Sequence, residues 1–187
     1  NLIKIFKTGY FPQKQTFAVR GVDIEIQPGE TYALVGESGS GKTTLGRMLL
    51  MLISPSMGEI IYNGVNITNK NHEELGFFRR KMQIIPQHPE DAFNPRWKVD
   101  YSIMEPYRIH KGMLDSESMG KKLKELLQQT GLDPEYVKRY PHQLSGGELQ
   151  RAAIARIIAL DPDFIVCDEP TSMLDVSVQA SIIHLLK

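Results

Sequence analysis

Hydrophobic and polar positions alternate along the first thirty residues in a way that predicts two extended segments. Residues 2–6 form an apolar-rich run that predicts a strand. Val22, Ile24 and Ile26 alternate with Asp and Glu neighbours, which predicts a half-exposed antiparallel strand ending at residues 28–29. The beginning of the chain is therefore predicted to form an antiparallel β region.

Four further apolar runs predict the strands of a sheet. Residues 31–35 predict a short buried strand, residues 59–62 another, and residues 82–85 a third. Residues 164–168 form a continuous apolar run that ends in an acid, a pattern typical of a central parallel strand buried on both faces. Cys167 lies within this last run, so we expect a buried thiol.

Apolar residues recur at helical spacing in four other stretches. Residues 45–52 and 119–127 each place apolar side chains on one face, and Gly131 is expected to end the second of these helices. Residues 149–160 predict another helix, and a last one is expected to begin after Asp175. From about residue 89 to residue 140 the strand signals stop, which indicates a helical insertion.

A glycine-rich loop lies between the predicted strand at residues 31–35 and the helix that begins near residue 45. Its sequence fits the pattern G-x-x-x-x-G-K-[ST], in which glycines let successive backbone N–H groups converge on phosphate oxygens. Lys42 adds a mobile positive charge, and the Thr43 hydroxyl can ligate Mg²⁺. The alternative is an ordinary glycine-rich turn. The predicted phosphate-binding residues are Gly36, Glu37, Ser38, Gly39, Ser40, Gly41, Lys42, Thr43 and Thr44.

The order of these elements predicts the fold class. Parallel strands that carry a phosphate loop, together with an antiparallel β flap and a helical insertion, indicate an α/β nucleotide-binding fold. The chain has 187 residues, which suits one domain with a subdomain better than two domains.

Two adjacent acids follow the predicted central strand. Consecutive residues of a strand point in different directions, so Asp168 could hold Mg²⁺ through a water while Glu169 polarises an attacking water as general base. The alternative is a pair of surface acids at a strand end. The combination with Lys42 favours nucleotide hydrolysis.

Residues 144–151, with the sequence LSGGELQR, predict a second anion site. Ser145 and Glu148 have the spacing of a capping box at the start of a helix. Gly146 and Gly147 leave the N–H groups of the first helical turn uncovered. Because capping boxes are common, a plain helix cap is the alternative.

Composition excludes several other classes of protein. Lys and Arg total 22, as do Asp and Glu, and this balance argues against binding nucleic acid through a strongly basic surface. The five histidines show no metal-ligand spacing. No uncharged apolar stretch of about 18 residues is present, so no membrane span is predicted. The chain begins without Met and stops inside a predicted helix, which indicates a fragment.

Five motifs in this order resemble the nucleotide-binding subunit of an ATP-binding cassette transporter. They are residues 36–44, Gln87, residues 144–151, residues 164–170 and residues 172–175. The likeness covers nearly the whole chain. Three more segments are similar to the oligopeptide, dipeptide and nickel importer branch of that family, at residues 86–96, 105–110 and 174–179.

The resemblance implies roles for two residues outside the glycine loop and the acid pair. Phe6 matches the aromatic residue that stacks on adenine, although Tyr10 or Phe11 could take that place, and a core phenylalanine is the alternative. Gln87 matches the glutamine that contacts Mg²⁺ or the attacking water and senses the membrane subunit. The metal-binding residues implied are therefore Thr43, Gln87 and Asp168.

The resemblance also implies that two copies work together. Ser145, Gly146 and Gly147 match the signature that grips the γ-phosphate of ATP held by a second copy. Asp175 matches the aspartate that communicates across this dimer. Two chains would pair head to tail about a two-fold axis, with two ATP molecules between them. One chain would hold half of each hydrolytic site.

As a whole, the resemblance implies an ATPase that powers import of peptides or a related small solute. Its fold would be a P-loop NTPase (RecA-like) core with the β flap, at residues 1–88 and 150–187, and a helical subdomain at residues 89–149. ATP and Mg²⁺ would be bound, and the partners would be a second nucleotide-binding subunit, transmembrane permease subunits and, indirectly, an extracytoplasmic solute-binding protein. The protein would lie peripherally on the cytoplasmic face of the membrane, with no nucleic acid bound.

Two alternatives to the importer stay open. One is an exporter or soluble ATPase of the same family, against which the importer-like segments argue. The other is a module that binds nucleotide without turnover, and from the shortness of the chain we expect this piece to hydrolyse ATP weakly. Trp97, Met104 and Tyr107 could line a groove for the membrane subunit, with core packing as the alternative.

The chain departs from the family pattern at two places. Glu148 stands where the family usually has glutamine, so a negative charge is added near the expected γ-phosphate. The family's switch histidine follows the last helix of this chain, and His184 lies within that helix, so His184 is not assigned this role.

Overall fold

The computed structural model describes residues 1–9, 14–111, 115–170 and 176–186. The chain forms two compact units, Asn1–Phe77 and Phe78–Lys187. The strands are β1 (Leu2–Thr8), β2 (Lys14–Val22), β3 (Ile61–Tyr62), β4 (Val65–Asn66), β5 (Met82–Ile85) and β6 (Phe164–Cys167). The α-helices are α1 (Lys42–Leu49), α2 (Leu75–Lys81), α3 (Val99–Lys111), α4 (Ser116–Thr130), α5 (Gly146–Ile158) and α6 (Val176–Leu185).

The first unit begins with the predicted antiparallel flap. Strands β1 and β2 pair in antiparallel register from Leu2 opposite Val22 to Thr8 opposite Lys14. The register shifts twice within β1, and such irregularities bend a strand and increase its twist. The prediction of a strand at residues 2–6 is therefore confirmed.

A second, shorter hairpin joins β3 to β4. Its turn residues Asn63 and Gly64 have φ angles of 46° and 77°. A two-residue hairpin of type I′ needs positive φ at both central positions, and Asn-Gly is the sequence that adopts it most readily. The strand predicted at residues 59–62 is present over its last two residues.

Two strands predicted in the first unit are absent. Strand β2 ends at Val22, and no strand is assigned at residues 24–26 or 31–35 among the described residues. Val35 is 95% exposed, so this apolar run is also not buried. The physical reason is that an apolar run becomes a strand only when a neighbour completes its backbone hydrogen bonds, and a local pattern does not specify that neighbour.

Helix α1 follows the glycine loop, as predicted, but is shorter than its apolar pattern. Leu45 and Met48 are buried on its inner face. The chain leaves the helix after Leu49, and Met51 has a φ angle of 53°, which no α-helix accommodates. Leu52 is therefore exposed, although its spacing placed it on the apolar face.

The second unit contains a parallel strand pair. Strands β5 and β6 run parallel, with Met82 opposite Phe164 and Ile85 opposite Cys167. The prediction of parallel strands is confirmed. The expectation of burial on both faces is wrong, because β6 is half-buried at residues 164–166 and exposed at Cys167, and its neighbour among the described residues is β5 alone.

Cys167 corrects a second expectation at the same strand. Its side chain is exposed, whereas the apolar run predicted a buried thiol. It is the last residue of β6, where the ladder ends, and partial desolvation by the atoms around it still raises the pKa of the thiol.

Helices α3, α4 and α5 form the larger core of the second unit. Helix α4 starts at the predicted region with Asp115 as N-cap, whose carboxylate accepts a bond from the Ser118 N–H at 2.8 Å. It ends at Gly131, whose φ angle of 63° confirms the predicted stop. The core side chains of these helices are Val99, Ile103, Met104, Leu126, Leu127, Leu149, Ala152, Ala153 and Ala155.

Met104 is one of the three residues predicted to line either a groove for the membrane subunit or the core. It is 2% exposed within this core, so core packing explains it. Tyr107 packs against the same core from its edge. Trp97 makes an edge-to-face contact with Tyr101, with ring centroids 4.7 Å apart.

Candidate nucleotide site

The glycine loop of the first unit ends in a helix whose first residue is the predicted phosphate-binding lysine. Gly41 is the N-cap of α1, with a φ angle of 97°. The Lys42 ammonium donates to the carbonyl oxygens of Gly36 at 2.7 Å and Glu37 at 2.9 Å. These bonds place a positive charge over the loop, beside the N-terminus of α1. A helix N-terminus and a lysine together favour an anion at this point.

The loop is accessible, as a phosphate site requires. Residues 36–40 are exposed, and so is Thr43, the predicted Mg²⁺ ligand. Thr44 is half-buried. The lysine, the hydroxyl and the uncovered backbone of this loop fit a polyphosphate.

Gly41 is required by the space around it. A Cβ atom built there would lie 2.1 Å from the carbonyl oxygen of Ala18 in β2. Gly39 has a similar backbone, with a φ angle of 80°, but a Cβ atom there would meet nothing within 4 Å. The close approach of the loop to β2 therefore depends on Gly41 specifically.

This difference gives a prediction with a matched control. We expect Gly41→Ala to lower the free energy of unfolding by more than about 2 kcal/mol, because the left-handed backbone strain adds to a clash with a backbone oxygen. Gly39→Ala has only the strain and should cost about 1 kcal/mol. Urea denaturation of the two variants measures the difference, and equal losses would contradict the role of Ala18.

The second unit brings together Gln87 and Glu169, two residues 82 positions apart. They follow the neighbouring parallel strands β5 and β6, so both side chains emerge at the same edge of the strand pair. The Asp168 N–H donates to the Ile85 carbonyl at 3.0 Å and continues the ladder. The Gln87 Nε2 then donates to the Glu169 Oε2 at 2.9 Å.

Glu169 has an unusual backbone for its residue type. Its φ angle is 49°, in the left-handed region that non-glycine residues rarely occupy. Strain of this kind costs about 1 kcal/mol or more and is concentrated at functional sites. It turns the chain directly after Asp168, so the two acids do not continue the strand together.

Among the described residues, no group of three or more His, Cys, Asp or Glu side chains could hold a metal ion. Mg²⁺ keeps several waters and is usually bound by one or two protein oxygens plus substrate phosphates. Thr43, Gln87 and Asp168 remain its predicted ligands.

The signature segment forms the predicted helix start. Ser145 is the N-cap of α5, and the capping box is confirmed: the Ser145 N–H donates to the Glu148 carboxylate at 2.7 Å, and the Glu148 N–H donates to the Ser145 hydroxyl at 3.4 Å. Ser145 and Gly146 are exposed and Gly147 is half-buried. The hydrogen bond from Ser145 is the main cause that lowers the pKa of Glu148.

A cavity of about 340 Å³ lies between Gln87 and the start of α5. Gln150, one turn into the helix, also lines it and is 1% exposed. The second unit therefore places the glutamine predicted at the hydrolytic site and the signature helix on one cavity.

Of the other predicted residues, one lies on a described strand and three lie outside the described residues. Phe6 lies on β1, is 38% exposed, and has the Lys4 ammonium 5.2 Å from its ring centroid. The alternatives Tyr10 and Phe11 lie outside the described residues, and so does Asp175. That Lys42 and the acid pair share one triphosphate stays a prediction.

Two residues near the signature, Tyr136 and Arg139, are not indicated by any motif in the sequence. The Glu148 carboxylate is the first cause that raises the pKa of Tyr136. Arg139 lies over the Tyr136 ring, with its guanidinium carbon 4.7 Å from the ring centroid. They precede Glu148 by 12 and 9 positions, a spacing without any periodic pattern, so no signal in the sequence indicated their effect on one another.

The sequence of the chain is similar to a known protein family and to several proteins of known name. A family model described as ABC transporter matches residues 19–172. The glutathione import ATP-binding protein GsiA of Salmonella paratyphi A is 48% identical over 173 residues, which cover 92% of this chain and 28% of GsiA. The oligopeptide transport ATP-binding protein OppF of Bacillus subtilis is 44% identical over 177 residues, which cover 94% of this chain and 58% of OppF. The chain thus spans little more than half of one relative and about a quarter of the other.

Solved structures agree with the predicted fold class. The dimeric post-hydrolysis structure of the ATP-binding cassette MJ0796, bound to ADP and Pi, has a TM-score of 0.90 and 30% identity. The match covers 100% of this chain and 79% of that chain. The α/β fold of a P-loop NTPase is therefore confirmed. No helix in the described part of the chain is long and apolar enough to cross a membrane.

Proposed function

Because the chain belongs to the ABC transporter family, we propose that it binds ATP at residues 36–44 and takes part in ATP hydrolysis that powers import of peptides or a related small solute. The observation that carries the hydrolytic part is the hydrogen bond from Gln87 to Glu169. It joins, at the ends of adjacent parallel strands, the two residues that a hydrolase needs to orient and deprotonate a water.

Each predicted site residue has a role in this proposal. Lys42 neutralises the outer phosphates, and the backbone of the loop binds the remaining phosphate oxygens. Glu169 accepts the proton of the attacking water, while Gln87 orients it. Bound Mg²⁺, with Thr43 and Asp168 among its ligands, would supply charge neutralisation on the phosphates.

The base and its orienting residue complement each other chemically. The Gln87 amide donates an N–H to the Glu169 carboxylate, and an ionised carboxylate is a proton acceptor. The turned backbone at Glu169 holds this carboxylate at the strand end.

We also propose contacts with adenine and with the ATP held by a second copy of the chain. Phe6, which is partly exposed, stacks on adenine. Ser145, Gly146 and Gly147 bind the γ-phosphate of ATP held by a second copy, in a head-to-tail dimer, and the exposed start of α5 supports this role. The dimeric MJ0796 structure is consistent with such pairing. We further propose a helical subdomain at residues 89–149 and a core at residues 1–88 and 150–187.

Import is favoured over the other functions of the family by similarity to GsiA and OppF, whose names describe import or transport ATP-binding proteins. We propose transmembrane permease subunits as direct partners, an extracytoplasmic solute-binding protein as an indirect one, and a peripheral position on the cytoplasmic face of the membrane. No nucleic acid is expected as partner.

Purification of the full-length protein with the permease subunits encoded beside its gene tests this proposal. We expect the protein to co-purify with an integral membrane partner and its ATP hydrolysis to rise when peptide and solute-binding protein are added. The Lys42→Ala variant is the control, since it should still co-purify but show no rise. Co-purification with nucleic acid or ribosomes, and without a membrane protein, would contradict import.

A further inference from the structure

A short 3₁₀ helix, Pro89–Ala92, begins two residues after Gln87. Pro89 is buried, and the 3₁₀ helix packs against α5. Its hydrogen-bond geometry is poorer than that of an α-helix, so a piece of this length depends on the contacts that other elements make with it. Whatever attaches this segment to the second unit therefore also affects the position of Gln87.

The Arg156 side chain, on α5, attaches the 3₁₀ helix to α3. One terminal nitrogen of its guanidinium donates to the carbonyl oxygen of Ala92, and the other donates to the Glu105 carboxylate at 2.6 Å. The side chains of Arg156 and Glu105 are each 25% exposed, so water and salt screen this pair less than a pair on the open surface. One arginine thus holds the last residue of the 3₁₀ helix to both α3 and α5.

The helix that carries Arg156 is the signature helix. Helix α5 has Ser145 as its N-cap and Arg156 in its last turn. Ala92 lies five positions after Gln87 in the sequence. The Gln87 amide in turn donates to the Glu169 carboxylate at 2.9 Å. Successive contacts therefore lead from Arg156 through Gln87 to the proposed base.

We propose that Arg156 is a positioning residue for hydrolysis: by holding the segment after Gln87 on α5, it keeps the glutamine within reach of Glu169. The inference rests on the proposed function, because it presumes that Gln87 and Glu169 act on the water that attacks ATP. If Arg156 served folding alone, its loss would lower the free energy of unfolding and leave hydrolysis by the folded molecules unchanged.

The two acceptors explain why an arginine suits this position. A guanidinium presents its donors in a planar fork and reaches a carbonyl and a carboxylate at once, whereas lysine offers a single nitrogen. The Nε of Arg156 is buried and has no hydrogen-bond partner among the described residues, so the attachment depends on the two terminal nitrogens. Arg156→Lys would keep a charge beside Glu105 and lose the fork.

The experiment measures single-turnover hydrolysis by the full-length protein at saturating ATP, together with the dissociation constant of ATP. In such a reaction, unfolded molecules lower the amplitude, whereas an altered site lowers the rate constant. We expect Arg156→Gln to lower the rate constant about 10-fold and to leave the dissociation constant within about 2-fold, because a small displacement of a positioned group slows the chemical step. Arg156→Lys, which retains the charge and so favours the folded state, should still be at least about 3-fold slower than the unsubstituted protein.

A double-mutant cycle tests whether Arg156 acts through Gln87. In a Gln87→Ala background, Arg156→Gln should change the remaining rate constant by less than about 2-fold, because the group that it positions is absent. A purely structural arginine would give the same factor in both backgrounds. An equal loss in the two backgrounds would therefore overturn the inference.

Lys81→Gln is the matched control. The Lys81 ammonium also donates to a carboxylate and a carbonyl oxygen, those of Asp163 at 2.9 Å and Asp161 at 3.2 Å. Lys81 directly precedes β5 and so lies at the opposite end of this strand from Gln87. Its loss should lower the free energy of unfolding, measured by urea denaturation, and leave the single-turnover rate constant within about 2-fold.

The outcomes separate this inference from the proposed function. Equal slowing by Lys81→Gln and Arg156→Gln, or no slowing by either substitution of Arg156, would overturn the inference alone. If the unsubstituted protein neither binds nor hydrolyses ATP, the proposed function is wrong and this inference with it.

Discussion

Replacing Lys42 with alanine is expected to weaken ATP binding on the order of 100-fold, because the outer phosphates lose a charge-assisted partner. The Lys42 ammonium also bonds two carbonyl oxygens of its own loop, at 2.7 and 2.9 Å. Its removal therefore affects both the charge at the site and the shape of the loop. Isothermal titration with ATP measures the loss.

Lys42→Met separates these two contributions. It keeps most of the aliphatic side chain, which helps to preserve packing, but has neither charge nor donor. If charge is what matters, Lys42→Met should lose nearly as much affinity as Lys42→Ala. Unchanged ATP affinity in either variant, with an unchanged free energy of unfolding, would count against the phosphate loop.

Glu169→Gln is expected to lower the rate of hydrolysis about 100- to 10,000-fold while ATP binding is preserved, since a glutamine cannot accept the proton. Its amide oxygen can still accept the Gln87 N–H that Glu169 accepts at 2.9 Å, so the arrangement of the strand ends should survive. An ATP-bound dimer should accumulate as a result. Single-turnover hydrolysis and size-exclusion chromatography with ATP measure the two effects.

A second acid near the same site provides the control for this variant. Glu90 lines the cavity beside Gln87 and lies 3.4 Å from the His88 imidazole. Glu90→Gln should leave the hydrolytic rate within about 2-fold, because Glu90 is exposed and pairs with His88, and the loss of an exposed ion pair has a small effect. Normal hydrolysis by Glu169→Gln would remove Glu169 from the role of base.

The features that were predicted correctly depend on residues close together in the sequence. The stop of α4 at Gly131 follows from the left-handed backbone that glycine tolerates, and the capping box of α5 from the spacing of Ser145 and Glu148. The apolar runs that predict strands β5 and β6 have the length of a typical strand. In each case the structure formed depends on residues that are close together in the sequence.

The predictions that were wrong depend on partners distant in the sequence. The apolar run at residues 31–35 has no strand assigned, and Val35 is almost fully exposed. Cys167 lies at the exposed end of its strand although it belongs to an apolar run. Burial depends on what packs against a residue, and hydrophobicity alone does not specify that neighbour.

The sequence alone determined the chemistry that this protein can offer: a glycine loop with its lysine, an acid pair after a strand, and a capped helix start with two glycines. Only the tertiary structure decided which of these groups contact residues that are distant in the sequence. It joined Gln87 to Glu169 across 82 positions and placed Gln87 and the start of α5 on one cavity. The reason is that residue types and local spacing set backbone conformation and charge, whereas contacts between distant segments arise only when the strands pair and the helices pack.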